Sequence, residues 1–302
     1  MRVALLAGGT GGAKLAAGMQ EEIGSELSVI VNTGDDVEAL GVHVSPDPDL
    51  VTYWLSGEID EERGWGIRDD TFTVFERLQR LGMPSWFGLS DRDLATCLYR
   101  RQFVEEGGTP TAAQAQIGRA LGVEARVLPM ADEPVRTYVL TAAGRRGLQE
   151  YLILDEGRPA VEGVELEGVE RAAPTREVLD ALRTAEAIVI GPSNPVVSIG
   201  PILAADGLRR AMQDAPAAVV AVSPLVGGEV VKGPTAAFME WAGQPLSSDG
   251  IANSYAGLIS GIVADERTDL LPVLEAEMLL DTPQRRRELA EQTLDFALAL
   301  SD

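Results

Sequence analysis

The chain has 302 residues, 45% of them hydrophobic, with 47 acidic against 25 basic side chains and a formal net charge of −22. That length supports one large domain or two, and the charge argues against nucleic acid and anionic membranes, which need a basic footprint. A single cysteine, Cys97, excludes an intrachain disulfide and a cysteine-based zinc cluster. No apolar run reaches the roughly 20 residues that span a bilayer, and the N-terminus reads as a strand, unlike a cleavable leader, so a cytoplasmic protein is expected.

Residues 2–7 read as a strand that runs directly into GGTGGAK (8–14) and then a helix at about 13–22. Clustered glycines let backbone N–H groups approach an anion closely, and the helix that follows directs its positive end into the same space. Gly9, Thr10, Gly11, Gly12 and Lys14 are therefore candidate phosphate contacts. The motif fits neither G-x-x-x-x-G-K-[ST], since Ala13 precedes the lysine, nor G-x-G-x-x-G, since Lys14 takes the third glycine's place. Lys14 is one of only two lysines; the other, Lys232, lies in a second glycine-rich stretch with Gly227 and Gly228.

A second apolar strand covers 27–32, and the polar, proline-containing stretch 33–50 is long enough for a connection to indicate function. Helices are expected at about 70–82, 91–106 and 110–121, the last two after Ser90 and Thr109 as helix starts. Short alternating segments at 126–130, 135–141, 148–154 and 163–170 predict an antiparallel, β-rich insertion over about 125–172. Buried strands resume at 187–191 and 217–223, with helices at about 200–213 and 234–242, a further strand at 259–263 and a closing helix at 284–300. The expected fold is one α/β domain over 1–302: a Rossmann-like, mostly parallel sheet with helices on both faces and an inserted mixed α+β subdomain.

Polar loops follow four of the apolar strands, where an open α/β sheet places its ligands. Besides the glycine loop they contain Asp35 and Asp36; Ser193 and Asn194; and Ser223, Gly227 and Gly228. SPDPD (45–49) adds Asp47 and Asp49. Carboxylates beside a phosphate loop suit Mg²⁺, which takes one or two of them together with phosphate oxygens and water. Asp35 and Asp49 lead as metal ligands, with Asp36 next. Asp49, Asp35 and Asp36 are also the catalytic candidates, one of them accepting a hydroxyl proton. Trp65, Trp86 and Phe87 supply ring-stacking surfaces, with Arg92 beside them. His43 has no triad or metal partner in the sequence and reads as structural; Cys97 reads as core. Phosphoryl transfer by positioning and charge neutralisation fits this set.

These segments resemble the 2-phospho-L-lactate transferases (CofD-like), including the phosphoenolpyruvate transferases of coenzyme F-420 biosynthesis. The matching stretches are GGTGGAK, VNTGDD (31–36), SPDPD, GWGIRDDTF (64–72), WFGLSDRDLAT (86–96), VLPMADEPVRT (127–137), GPSNPVVSIGPIL (191–203) and VSPLVGGEVVKGP (222–234). The resemblance implies transfer of a phosphoenolpyruvyl or 2-phospho-L-lactyl group from a guanosine-diphosphate-linked donor to the deazaflavin Fo. GMP would leave, Mg²⁺ would be required, and the enzyme would be a homodimer. By motif, Gly9, Thr10, Gly11, Gly12, Lys14, Ser193, Asn194, Gly227 and Gly228 look like nucleotide contacts, and Asp49 lies close to the Fo position. Ser223 and Lys232 belong to the same nucleotide set, and Trp65, Trp86 and Arg92 to the Fo set. Cys97 and Gly88 depart from the family pattern, as does EMLLD (277–281) near the end. The rival reading is a sugar-nucleotide-binding regulator of a related GGTG-containing family.

Overall fold

The computed structural model describes residues 1–301. Strand β1 (Val3–Ala7) leads into helix α1 (Gly9–Ile23) and then β2 (Leu27–Val31). The hairpin β3 (Val37–Ala39) and β4 (Val42–Val44) follows, with helices α2 (Pro46–Ser56), α3 (Thr73–Arg80), α4 (Asp91–Glu105) and α5 (Pro110–Ala120). After β5 (Arg126–Pro129) comes a small lobe of β6 (Arg136–Thr141), β7 (Gly144–Gly147), α6 (Leu148–Ile153) and β8 (Gly163–Glu167). The chain continues through α7 (Arg176–Thr184), β9 (Ala187–Ile190), α8 (Gly200–Ala204), α9 (Leu208–Gln213) and β10 (Val219–Val222). It ends with the hairpin β11 (Leu225–Val226) and β12 (Glu229–Val230), α10 (Thr235–Trp241), α11 (Ser248–Ser254), β13 (Gly261–Ala264), β14 (Val273–Glu275) and α12 (Pro283–Ala299).

Seven strands form one sheet in the order β14-β13-β10-β9-β1-β2-β5. Every neighbouring pair is parallel, and β1 sits centrally with Val3 opposite both Leu27 and Ala187. Val3, Leu5 and Ala7 join a core with α1, α2 and α12, whereas Ala4 and Leu6 join a second core with α7, α8, α9 and α11. Both faces are covered, so the strands have no polar side, as their apolar runs predicted. This is the expected Rossmann-like α/β fold. The strand order reverses between β1 and β9, which opens a crevice at their C-terminal ends.

The structure corrects several boundaries. Helix α1 begins at Gly9, so the glycine run is its first turn and not a separate loop. Residues 126–129 are the outer strand of the large sheet, so the antiparallel insertion starts only at β6, which pairs with β7 and β8. Residues 148–153, expected as a strand, are helical. The Gly147 N–H donates to Glu150 Oε2 at 3.2 Å and closes the first turn, while Leu148 and Tyr151 bury one turn apart. Helix α2 lies partly within the expected connection. Pro46 fits a first helical turn, Asp47 and Asp49 face the positive end, and Gly57 ends the helix at φ 72°. The expected helix at 200–213 is two helices, broken before Gly207, whose φ is 84°. Helices α7 and α11 were not anticipated, although Thr175 and Ser247 cap them by accepting from Val178 and Gly250 N–H. No helix among the described residues is long and apolar enough to cross a membrane.

Helix α1 crosses α12 at Gly18, where an added Cβ would collide with the Arg286 carbonyl. Gly18→Val is expected to destabilise by about 1–3 kcal/mol through overpacking, read as a lower urea midpoint in far-UV circular dichroism. An unchanged midpoint would show that the crossing has room.

Candidate active site

Two cavities meet at the reversal of strand order. The smaller, of about 350 Å³, is lined by the first turn of α1 and Lys14, by Ser193 and Asn194 after β9, and by Ser223 after β10. Lys232, Thr235 and Met278–Leu280 complete it. The larger, of about 680 Å³, is lined by Asp35, Asp47, Asp49 and Asp93, by Trp65, Trp86 and Phe87, and by Gln149 of α6. Gly9, Thr10, Ser198 and Lys232 belong to both.

The glycine turn is shaped by contact with the loop after β9. A Cβ on Gly11 would collide with the Pro192 carbonyl, and one on Gly12 would lie 2.7 Å from Ser193 Oγ and 2.9 Å from Ala7 Cβ. Gly12 therefore serves helix–strand packing and does not line the smaller cavity. Ser193 Oγ accepts the Gly8 N–H at 3.2 Å. Asn194 Oδ1 accepts from Val196 and Val197 N–H, and its amide donates to Thr235 Oγ1, so Asn194 builds the turn that carries Ser198. Lys14 lies 5.6 Å from the Trp54 ring, and burial together with the Arg286 charge lowers its pKa.

The carboxylates divide between two sides. Asp47 Oδ1 accepts the Gly9 N–H at 2.6 Å, and its Oδ2 accepts from Asn32 Nδ2 at 3.0 Å. The same amide donates to Asp35 Oδ1 at 3.2 Å, and Gln149 donates to Asp35 Oδ2 at 3.0 Å. Burial raises Asp35 well above the usual carboxylate range, with the charges of Asp47 and Asp36 adding to it. Burial also pushes Asp47 up to about 6. Asp49 is held in a buried two-pronged ion pair with Arg100, one contact being 3.2 Å. Its carboxyl is raised by burial against the pull of that guanidinium. Asp93 accepts from the Tyr53 hydroxyl at 2.9 Å, and burial followed by the Asp49 charge pushes it up to about 7. Ligand atoms of Asp49, Asp93 and Cys97 lie within 4.8 Å of one another. Arg100 already neutralises Asp49 there, and burial keeps the Cys97 thiol protonated.

Some expected positions lie elsewhere. Asp36 lines a third cavity of about 470 Å³ with Glu38, His43 and Arg136. It is tied there by Ser45 Oγ at 2.7 Å and His43 Nε2 at 2.9 Å, so it is not a residue of the two-cavity crevice. His43 thus has a structural task, bridging Asp36 and Glu38. Arg92 lines neither cavity; it reaches the Arg68 carbonyl and Asp70. Gly227 and Gly228 make the β11–β12 turn at φ 61° and 75°, with the Gly227 N–H bound to Asp265, and they do not line the smaller cavity. Trp65 and Trp86 do flank the larger cavity, and a Cβ on Gly88 would sit 3.4 Å from the Trp65 ring. Sequence reasoning gave no role to Asp47, Asp93, Gln149 or Ser198. All but Gln149 lie inside quoted motifs, yet nothing local marks which acid of SPDPD or SDRD turns inward.

The parallel sheet, glycine turn and acid-lined crevice define an α/β enzyme, and family comparison makes it a transferase. Residues 3–282 match the family described as 2-phospho-L-lactate transferase CofD. The chain is 38% identical over 297 residues to the 2-phospho-L-lactate transferase of Methanosarcina mazei, covering 95% of this chain and 97% of the relative. It is 39% identical over 303 residues to the enzyme of that name from Methanopyrus kandleri, covering 97% of each. It is also 38% identical over 322 residues to the phosphoenolpyruvate transferase of Thermobifida fusca, covering 100% and 99%. The chain belongs to the CofD family. A solved UPF0052-family protein from Bacillus halodurans shares the fold, with a TM-score of 0.63 at 18% identity over 97% of this chain and 98% of that one.

A raised carboxyl pKa favours the protonated acid in the folded state. Its stabilisation is present at low pH and lost as pH rises from 3.8 through about 6 at Asp47 and about 7 at Asp93. The ligand-free protein without divalent cation should therefore melt higher at about pH 5 than at about pH 8. A smaller pH dependence in the Asp47→Asn, Asp93→Asn double variant is expected; an unaltered one would assign the effect to overall charge. Asp49→Asn should cost about 3–5 kcal/mol in urea denaturation, because it leaves the Arg100 guanidinium buried without its anion.

Proposed function

We propose that the chain transfers a phosphoenolpyruvyl, or 2-phospho-L-lactyl, group from a guanosine-diphosphate-linked donor to the ribityl hydroxyl of Fo. The observation that carries this reading is the shared wall between a phosphate-type cavity and a larger aromatic, acidic one. A donor with its nucleotide in the smaller cavity brings its diphosphate to Gly9, Thr10, Ser198 and Lys232, facing an acceptor between Trp65 and Trp86. The acceptor oxygen bonds to the phosphorus that carries the acid, the bond from that phosphorus to GMP breaks, and the hydroxyl proton passes to a carboxylate. Asp93, raised toward neutrality inside the acceptor cavity, suits that task. Lys14 and Lys232 neutralise the departing phosphate from the donor side.

A hard divalent cation fits the donor set: Asp35, Asp47 and Asp49 are buried, all line the larger cavity, and only Asp49 has a cationic partner. Asp35 and Asp47, joined through the Asn32 amide, would hold Mg²⁺; Asp49, the other candidate from the sequence, is already neutralised by Arg100. When bound, it would supply charge neutralisation on the diphosphate. A homodimer is part of the same proposal. The rival reading, a nucleotide-binding regulator, gives no use to the larger cavity.

Incubation with Fo, Mg²⁺ and each guanosine-linked donor, followed by mass analysis, should show GMP and one Fo adduct, and the preferred donor identifies the acid. No adduct with either donor, together with tight UDP-sugar binding, would favour the regulator. Asp93→Asn should lower kcat by about 10²- to 10⁴-fold while GDP affinity, read by calorimetry, stays unchanged; full turnover would remove Asp93 from proton transfer.

A further inference from the structure

Asp47 occupies the position at which an anion would meet the first turn of α1. Its Oδ1 takes the Gly9 N–H at 2.6 Å, the same interaction that a helix N-terminus offers a phosphate oxygen. Its other oxygen is held by the Asn32 amide at 3.0 Å, and that amide is itself fixed, its carbonyl accepting the Gly34 N–H at 2.7 Å. Both partners of Asp47 are neutral amides, and the residue is 4% exposed. The carboxylate has little room to withdraw on the α1 side: a Cβ on Gly8 would already lie 2.7 Å from Oδ2 and 2.8 Å from Ser198 Cβ. Through Asn32 it is tied to Asp35, and both face the larger cavity beside Gly9 and Thr10.

We infer that Asp47 is a positioning residue that couples donor binding to the divalent cation. In the ligand-free protein it holds the Gly9 N–H as an internal anion. A diphosphate arriving at Gly9 and Thr10 meets this carboxylate in a poorly solvated place, where two like charges repel strongly. Only a cation shared by Asp47, Asp35 and the phosphate turns that repulsion into attraction. Donor and cation therefore bind synergistically, and by linkage each raises the affinity of the other by the same factor. The inference rests on the proposed guanosine-linked donor and assigns Asp47 a role distinct from that of Asp49, which Arg100 already neutralises.

The test uses GDP as the probe, titrated calorimetrically into the full-length protein with Mg²⁺ or with a chelator. For the unmodified chain, Mg²⁺ should tighten GDP binding by about tenfold or more, within the 5–150-fold usual for coupled sites. Asp47→Ala and Asp47→Asn should bind GDP more tightly than the unmodified chain in chelator and show less than about threefold response to Mg²⁺. The asparagine variant keeps an oxygen for the Gly9 N–H, so it covers the case in which the alanine variant fails to fold, as judged by thermal melting. Mg²⁺-independent GDP binding by the unmodified chain would overturn the inference and leave the functional reading standing. So would a full Mg²⁺ response in the folded variants. Absence of GDP binding under both conditions would overturn the functional reading and the inference together.

Discussion

The structure depends on the close seating of the first turn of α1 against the loop that follows β9. Gly11 and Gly12 allow it, since any side chain at Gly11 would strike the Pro192 carbonyl and one at Gly12 would press on Ser193 and Ala7. This contact brings the C-terminal ends of β1 and β9 together where the strand order reverses. It also aligns Gly8 and Gly9 N–H groups with Ser193 and Asp47. Gly9 and Thr10 of the shared wall between the two cavities are set by it directly, and Ser198 through the Asn194-capped turn that carries it.

Around this contact the molecule arranges its charges economically. A protein with a formal net charge of −22 nevertheless directs Lys14 and Lys232 to the smaller cavity and a set of buried carboxylates to the larger. Adjacent aspartates take opposite sides: Asp35 faces the larger cavity, and Asp36 is tied by Ser45 and His43 toward a separate one. In SPDPD, helix geometry separates the two acids in a similar way. Asp47 points back at the Gly9 N–H, while Asp49, two residues further around α2, finds Arg100 on α4. Burial without cationic partners leaves Asp35 and Asp47 as the groups most dependent on a ligand for charge balance.

The insertion contributes more than bulk. Helix α6 brings Leu152 to the wall common to both cavities and places Gln149 on Asp35. Its sequence, LQEYLI, sets Leu148 and Tyr151 at a helical spacing with two polar residues between them, and the Gly147–Glu150 bond closes the first turn. Helix α2 was obscured by its prolines. Two prolines in four residues resemble a loop, but the first turn of a helix has N–H groups to spare.

The sequence by itself determined the α/β class, the buried parallel strands, the glycine-rich turn after the first strand and the acidic character of the crevice. Each follows from local chemistry: apolar runs need burial on both faces, glycines permit close backbone approach, and the acids that cluster after the second strand end beside them. Which acids meet which partners was decided only by the tertiary structure. Asp49 with Arg100, Asp47 with Gly9, Asp35 with Gln149 and Asp36 with His43 are pairings across different elements, and Gly227, Gly228 and Arg92 fell outside the crevice. Side-chain direction on a helix or at a strand end is fixed by packing against remote segments, so the glycine-rich turn was legible in the sequence while Asp47, the anion nearest to it, emerged only from the fold.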